Sequence, residues 1–178
     1  MDLERIERAG NEDLAVLCRL YYSLEFALGQ VHSDGDLQYH PNASFSVLKF
    51  ISILRSIKKR CGPSLRFLDV GCGLGGKVWI ADALGFSSFG LEINSAYARI
   101  ASECVGTDRI FCSNALSFGD YGGYDVIYFY NPMPSAELEI AILKSAKKGA
   151  IIYHAIDLQA SPVRSFSRLS PRVMRLND

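Results

Sequence analysis

Phe67-Leu68-Asp69-Val70-Gly71-Cys72-Gly73-Leu74-Gly75-Gly76 is the stretch that decides the fold. An apolar run of strand type, Leu65 to Val70, stops at a glycine-rich turn. A helical pattern follows at once in Lys77-Val78-Trp79-Ile80-Ala81-Asp82-Ala83-Leu84. Strand, glycine turn and helix in that order make the crevice where an open parallel sheet takes a nucleotide-like ligand. The glycines allow backbone conformations closed to other residues and leave room for a ligand against the chain. Asp69, two positions before the first of them, bears on what that ligand is. A dinucleotide sets its pyrophosphate on the amides at the helix start, where an anion is favoured. A carboxylate at the strand end opposes an anion and suits a cation. The plainer reading is a tight turn in which Asp69 only bonds backbone amides.

Downstream, strand and helix patterns alternate. Strands are expected at Ser88 to Ile93, Arg109 to Ser113, Tyr124 to Tyr130 and Gly149 to Ile156. Helices are expected from Ser95 to Val105 and from Ser135 to Lys148, the latter with Leu138, Ala141, Ile142 and Ser145 inward. That alternation implies a parallel sheet covered on both faces. The nearly continuous apolar run Tyr124-Asp125-Val126-Ile127-Tyr128-Phe129-Tyr130 reads as a central strand. Upstream, Leu14, Leu17, Tyr21, Leu24 and Leu28 recur at helical spacing between a capping Asn11 and Gly29. A long polar connection, Gln30 to Ser44, reads as a lid or a mobile loop. A second helix, residues 45–60, puts Val47, Phe50, Ile51, Leu54 and Ile57 on one face. Its basic end, Lys58-Lys59-Arg60, suits a helix C-terminus better than a nucleic-acid patch.

Composition narrows the class. The 178 residues suffice for one domain, and 49% hydrophobic with 21% charged residues is a globular proportion. Nineteen basic and nineteen acidic residues cancel, so no nucleic-acid or anionic-membrane partner is demanded. Five cysteines, an odd number without a Cys-x-x-Cys pair, suggest neither a zinc site nor a disulfide framework and fit a reducing compartment. The charged start has no signal-peptide core and no apolar run reaches membrane-spanning length, so a cytoplasmic protein is expected.

Three further stretches carry candidate chemistry. Glu92, in Gly90-Leu91-Glu92-Ile93-Asn94, stands about twenty residues beyond the glycine turn, where an acid accepts hydrogen bonds from both hydroxyls of an adenosine ribose. Nicotinamide enzymes share this feature, and an exposed strand-end carboxylate is the bland alternative. Ser113-Asn114-Ala115 follows the third strand, and Asn114 is equally an ordinary turn residue. Tyr130-Asn131-Pro132-Met133-Pro134 follows the fourth, where a proline-defined turn is the alternative. Tyr39, His40 and His154 could act as base or lid groups, and no role is assigned to them.

Taken together, these stretches resemble class I S-adenosylmethionine (SAM)-dependent methyltransferases over roughly residues 40–157. Asp69, Gly71, Gly73 and Gly75 fill the family's first motif, an acid followed by Gly-x-Gly-x-Gly. The resemblance implies SAM as cofactor, held by Asp69, Gly71, Cys72, Gly73, Gly75, Glu92, Ile93, Asn114 and Ala115. Ile93 would pack on the adenine face, and the Asn114 amide oxygen would meet the adenine amino group. Members that methylate nitrogen often carry Asn/Asp-Pro-Pro-aromatic after the fourth strand, which implies a catalytic role for Asn131 in aiming the acceptor nitrogen. Pro132 matches that pattern, whereas Met133 and Pro134 depart from it, and the lost aromatic removes a stacking platform for a base.

Glu92, Asn131-Pro132 and Tyr39-His40-Pro41 look most like small protein lysine methyltransferases, so the expected partner is a protein nitrogen acceptor. Small-molecule or RNA methylation is the near alternative. From another class, a non-catalytic SAM- or nucleotide-binding module or an NAD-dependent oxidoreductase stays open, with Asp69 arguing against the last. The implied fold is α/β, a Rossmann-like, doubly wound, mostly parallel sheet with a reduced C-terminal edge. Within one domain, 1–178, residues 1–60 would supply N-terminal helices and a lid-like loop. Residues 64–157 would form the SAM-binding core and 158–178 a short edge segment. The family's edge hairpin would shrink to Phe166-Ser167-Arg168-Leu169 and Arg172-Val173-Met174-Arg175-Leu176 around Ser170-Pro171, with little room for the helix before it. No metal is implied. Transfer from a sulfonium does not need a base, because positioning and exclusion of water can supply most of the acceleration.

Overall fold

A computed structural model describes residues 47–130, 136–154, 165–170 and 172–177. The expected helix at 11–28, the loop at 30–44, Asn131 to Pro134 and residues 155–164 between the fifth and sixth strands lie outside them. Helix α1 (Val47–Cys61) leads into β1 (Arg66–Val70), α2 (Gly76–Ala83), β2 (Ser87–Glu92), α3 (Ser95–Val105) and β3 (Ile110–Cys112). A 3-10 turn at Tyr121–Gly123 precedes β4 (Val126–Phe129), α4 (Ala136–Ser145), β5 (Ile151–His154), β6 (Phe166–Ser170) and β7 (Val173–Leu176). All seven strands form one sheet in the order β3-β2-β1-β4-β5-β7-β6. The first five run parallel, and β7 is antiparallel to both β5 and β6. The edge hairpin is therefore present, with strands of five and four residues and an irregularity between Arg168 and Ser170.

The order of strands follows from where the apolar residues fall. All four residues of β4 are buried, and the strand lies between β1 and β5 at the centre. Phe67, Tyr128 and Tyr153 look to the face covered by α1 and α2, where Phe50, Ile51, Leu54, Ile80, Ala81 and Leu84 meet them. Leu68, Ile127 and Ile152 look to the other face, against Ile142 and Leu143 of α4 and the rings of Tyr121 and Tyr124. The stripe Val47, Phe50, Ile51, Leu54, Ile57 is the buried face of α1, as its spacing predicts. At its basic end the Lys58 ammonium donates to the Leu84 carbonyl oxygen at 2.8 Å, meeting an acceptor just past the end of α2.

One expectation is corrected on α4. Its buried positions are Glu139, Ile142 and Leu143, with Ala146 just beyond, whereas Leu138 and Ala141 are half-buried and Ser145 is exposed. Burying the adjacent bulky pair Ile142 and Leu143 together turns the 139–142–143–146 row to the sheet and rolls the 138–141–145 row to the margin. No helix among the described residues is long and apolar enough to cross a membrane.

Candidate functional site

The glycine turn closes β1 onto β2. The amides of Gly71 and Cys72 both donate to the Leu91 carbonyl, at 2.8 and 2.9 Å, and the Gly75 amide donates to the Cys72 carbonyl at 3.0 Å. Gly71, Gly73 and Gly75 have φ of +76°, +55° and +81°, so the alternate glycines are required by backbone conformation. Gly75 also sits where a Cβ would come within 3.0 Å of Ala101 Cβ, which lets the start of α2 pack on α3. A fourth glycine, Gly90 in the middle of β2, belongs to the same construction. A Cβ there would lie 2.6 Å from Cys72 Sγ and 2.8 Å from Ile110 Cδ1, so the missing side chain is the seat of Cys72.

Glu92 ends β2 and reaches across to the turn. Its Oε2 accepts from the Gly73 amide at 2.8 Å and its Oε1 from the Asn94 amide at 2.8 Å. Each oxygen keeps a further acceptor position. Next to this buried acid, Ile93 is 58% exposed, an apolar side chain left open at the strand end. Asn94 then caps α3, its Oδ1 accepting from the amides of Ala96 at 2.9 Å and Tyr97 at 3.3 Å. The carboxyl end of β2 is thus fixed on both sides.

Asp69 is 1% exposed in β1, in register with Gly90 of β2 and Tyr128 of β4. It faces the same side of the sheet as Phe67, below the turn. The Cys72 thiol reports the surrounding field. Burial pushes it well above the ordinary thiol value, the charges of Asp69 and Glu92 push it further, and Lys77 pulls it back.

Asn114 and Ala115 stand one strand further out. Asn114 is exposed, and its Oδ1 accepts from the Leu116 amide at 2.9 Å, the geometry of an Asx turn. That bond leaves the oxygen one more acceptor position. Ala115 is half-buried, and its carbonyl accepts from the Tyr121 hydroxyl at 2.7 Å, which ties this loop to the floor of the sheet. The fold therefore brings Asp69, Gly71, Cys72, Gly73, Gly75, Glu92, Ile93, Asn114 and Ala115 to the carboxyl ends of β1, β2 and β3. Asn131 lies outside the described residues. His154 ends β5 in register with Phe129 and is buried.

Two residues at this end were not singled out from the sequence. Lys77, in the first turn of α2, is only 9% exposed. Its position on the row with Ile80, Ala81 and Leu84 was the available signal, since a lysine on an apolar row in a helix's first turn is out of place. Tyr97, in the first turn of α3, is buried, and its phenol is pushed up by burial and by the Glu92 charge. Nothing in the sequence distinguishes it from a core tyrosine. A separate cavity of about 730 Å³ lies at the other end of the sheet, lined by Ser64, Arg66, Trp79, Asp82, Ser87 and Arg109 among others. It opens at the amino ends of the strands, away from all the residues above.

Among the described residues at the carboxyl ends of the strands, the buried carboxylates of Asp69 and Glu92 outnumber the buried ammonium of Lys77, and a pyrophosphate on the turn would stand against Asp69. No protein-family model and no curated protein matches the sequence. Solved structures do. A SAM-dependent methyltransferase from Geobacter sulfurreducens, in complex with S-adenosyl-L-homocysteine (SAH), is 15% identical. It aligns over 82% of this chain and 57% of its own with a TM-score of 0.54. YjhP from E. coli is 20% identical over 66% of this chain and 51% of its own, TM-score 0.53. A Thermoplasma acidophilum protein is 15% identical over 62% and 61%, TM-score 0.52. The chain spans 51–61% of the length of these three structures. At such identities the likeness is one of fold, and the fold is the Rossmann-like one of the class I SAM-dependent methyltransferases.

Proposed function

We propose that the chain binds SAM at the carboxyl ends of β1 to β4 and transfers its methyl group to a nitrogen acceptor. The observation that carries this reading is the Glu92 carboxylate, held by the Gly73 and Asn94 amides beside an open Ile93. With both oxygens fixed, Glu92 presents its remaining lone pairs to a ribose diol, and Ile93 offers the adjacent base an apolar surface. Asn114 then lies where an adenine edge ends, with an acceptor position left on Oδ1. Asp69 at the strand end gives the crevice a negative charge that a sulfonium favours and a pyrophosphate does not.

SAM supplies a methyl group activated by the sulfonium charge, so the chain needs to provide alignment and exclusion of water rather than a strong base. Asn131 follows Phe129, the last residue of β4, by two positions in the chain. In this reading its side-chain oxygen accepts from the acceptor N–H and aims the nitrogen lone pair at the methyl, while Pro132 fixes the turn. Asn131-Pro132 and Tyr39-His40-Pro41 support a protein nitrogen, lysine or similar, as first choice of acceptor.

The test is tritiated methyl transfer from SAM to a cell extract sorted into protein, RNA and small-molecule fractions. Label in the protein fraction is the expected result. Label confined to RNA or small molecules would move the acceptor, and label in no fraction would favour a SAM-binding module without transferase activity.

A further inference from the structure

Lys77 is a buried cation in a place that ordinarily rejects one. It stands in the first turn of α2, at the positive end of the helix dipole, and is only 9% exposed. Along α2 it falls on one row with Ile80, Ala81 and Leu84, which share one buried cluster with Phe67 of β1 and Phe86. Lys77 continues that row by one turn toward the glycine turn at the carboxyl end of β1, and helical side chains lean toward the N-terminus of their helix. Its charge reaches the glycine turn, where it counteracts Asp69 and Glu92 at the Cys72 thiol.

The rest follows from the direction in which the ligand must lie. Glu92, Ile93 and Asn114 assign the ribose and base to β2 and β3. The other arm of SAM, with its α-ammonium and α-carboxylate, then runs back over the glycine turn toward β1 and β4. Of the charged groups around that turn, Asp69 and Glu92 match the ammonium in sign, and Lys77 alone among these matches the carboxylate. We propose that Lys77 holds the α-carboxylate of the cofactor's amino-acid arm and so selects ligands that carry that arm. The proposal rests on the SAM-site reading above and assigns a ligand-recognition role to a residue outside the glycine motif.

The experiment is calorimetry of the parent and of Lys77→Met and Lys77→Arg with two probes. SAH carries the amino-acid arm, and 5′-methylthioadenosine shares the adenosine and the sulfur but lacks it. Lys77→Met should weaken SAH about tenfold or more, the size of a lost charge-assisted contact. It should leave methylthioadenosine within about twofold on the same scale, and Lys77→Arg should recover part of the SAH affinity. Equal losses for both probes would make Lys77 a support of the turn and overturn the proposal, as would unchanged SAH affinity in Lys77→Met. A parent that binds neither probe would instead remove the SAM-site reading itself.

Discussion

Glu92→Ala should weaken SAH binding by roughly a hundredfold. A hydrogen bond to a charged group contributes about 1.5–3 kcal/mol, and each 1.4 kcal/mol is about tenfold in affinity. The ribose contact alone accounts for about ten- to a hundredfold. The same carboxylate also holds Gly73 N and Asn94 N at 2.8 Å, so its removal loosens the turn and leaves two amides to find water. The expected loss therefore lies at the upper end of that range. Glu92→Gln is the sharper control. It keeps one acceptor oxygen and turns an NH₂ donor toward one of the two amides, so its affinity should fall between parent and alanine. Calorimetry with SAH reads both variants, and unchanged affinity in Glu92→Ala would place the ribose elsewhere.

Asn131→Ala should lower the rate of methyl transfer by about a hundredfold, the effect of removing one oriented hydrogen-bonding group from a reacting centre. SAH affinity should stay within about threefold, because the proposed contact is made to the acceptor and strengthens on the way to transfer. Pro132 is retained in the variant, and its ring restricts its own φ in both proteins, so a collapse of cofactor binding is not expected. The measurement pairs SAH calorimetry with tritiated transfer to the fraction that the parent labels. Equal transfer by variant and parent would remove Asn131 from the chemistry, and a parallel loss of SAH affinity would make it part of the cofactor's seat.

What the sequence disclosed, and what it withheld, has a physical pattern. The glycine turn was legible because alternate positive φ angles exclude most side chains, so the backbone geometry is written as residue identity at Gly71, Gly73 and Gly75. The inward face of α1 was legible for a similar reason, since a long helix on the sheet needs an unbroken apolar stripe. Helix α4 was misread because Leu138, Ala141, Ile142 and Leu143 offer two overlapping rows, and only the packing of Ile142 with Leu143 decides between them. Gly90 was passed over as a strand residue, since its meaning depends on Cys72 arriving from the turn after β1. Lys77 and Tyr97 escaped for the same reason, their burial near the glycine turn and the end of β2 being set by the fold rather than by their own neighbours in sequence. The Asn114 side chain was anticipated as an acceptor, and the fold adds that one of its positions is already taken by Leu116 N.

The most direct measurement is a side-by-side calorimetric titration of the unmodified protein with SAM, SAH and NAD at one concentration range and one salt. In the proposed reading the Glu92 carboxylate takes the ribose of SAM and SAH alike, and the strand-end acid Asp69 opposes a pyrophosphate. SAM and SAH should therefore bind with one site per chain, and NAD should give no heat above dilution. Tight NAD binding with no response to SAM or SAH would contradict the assignment of this crevice outright.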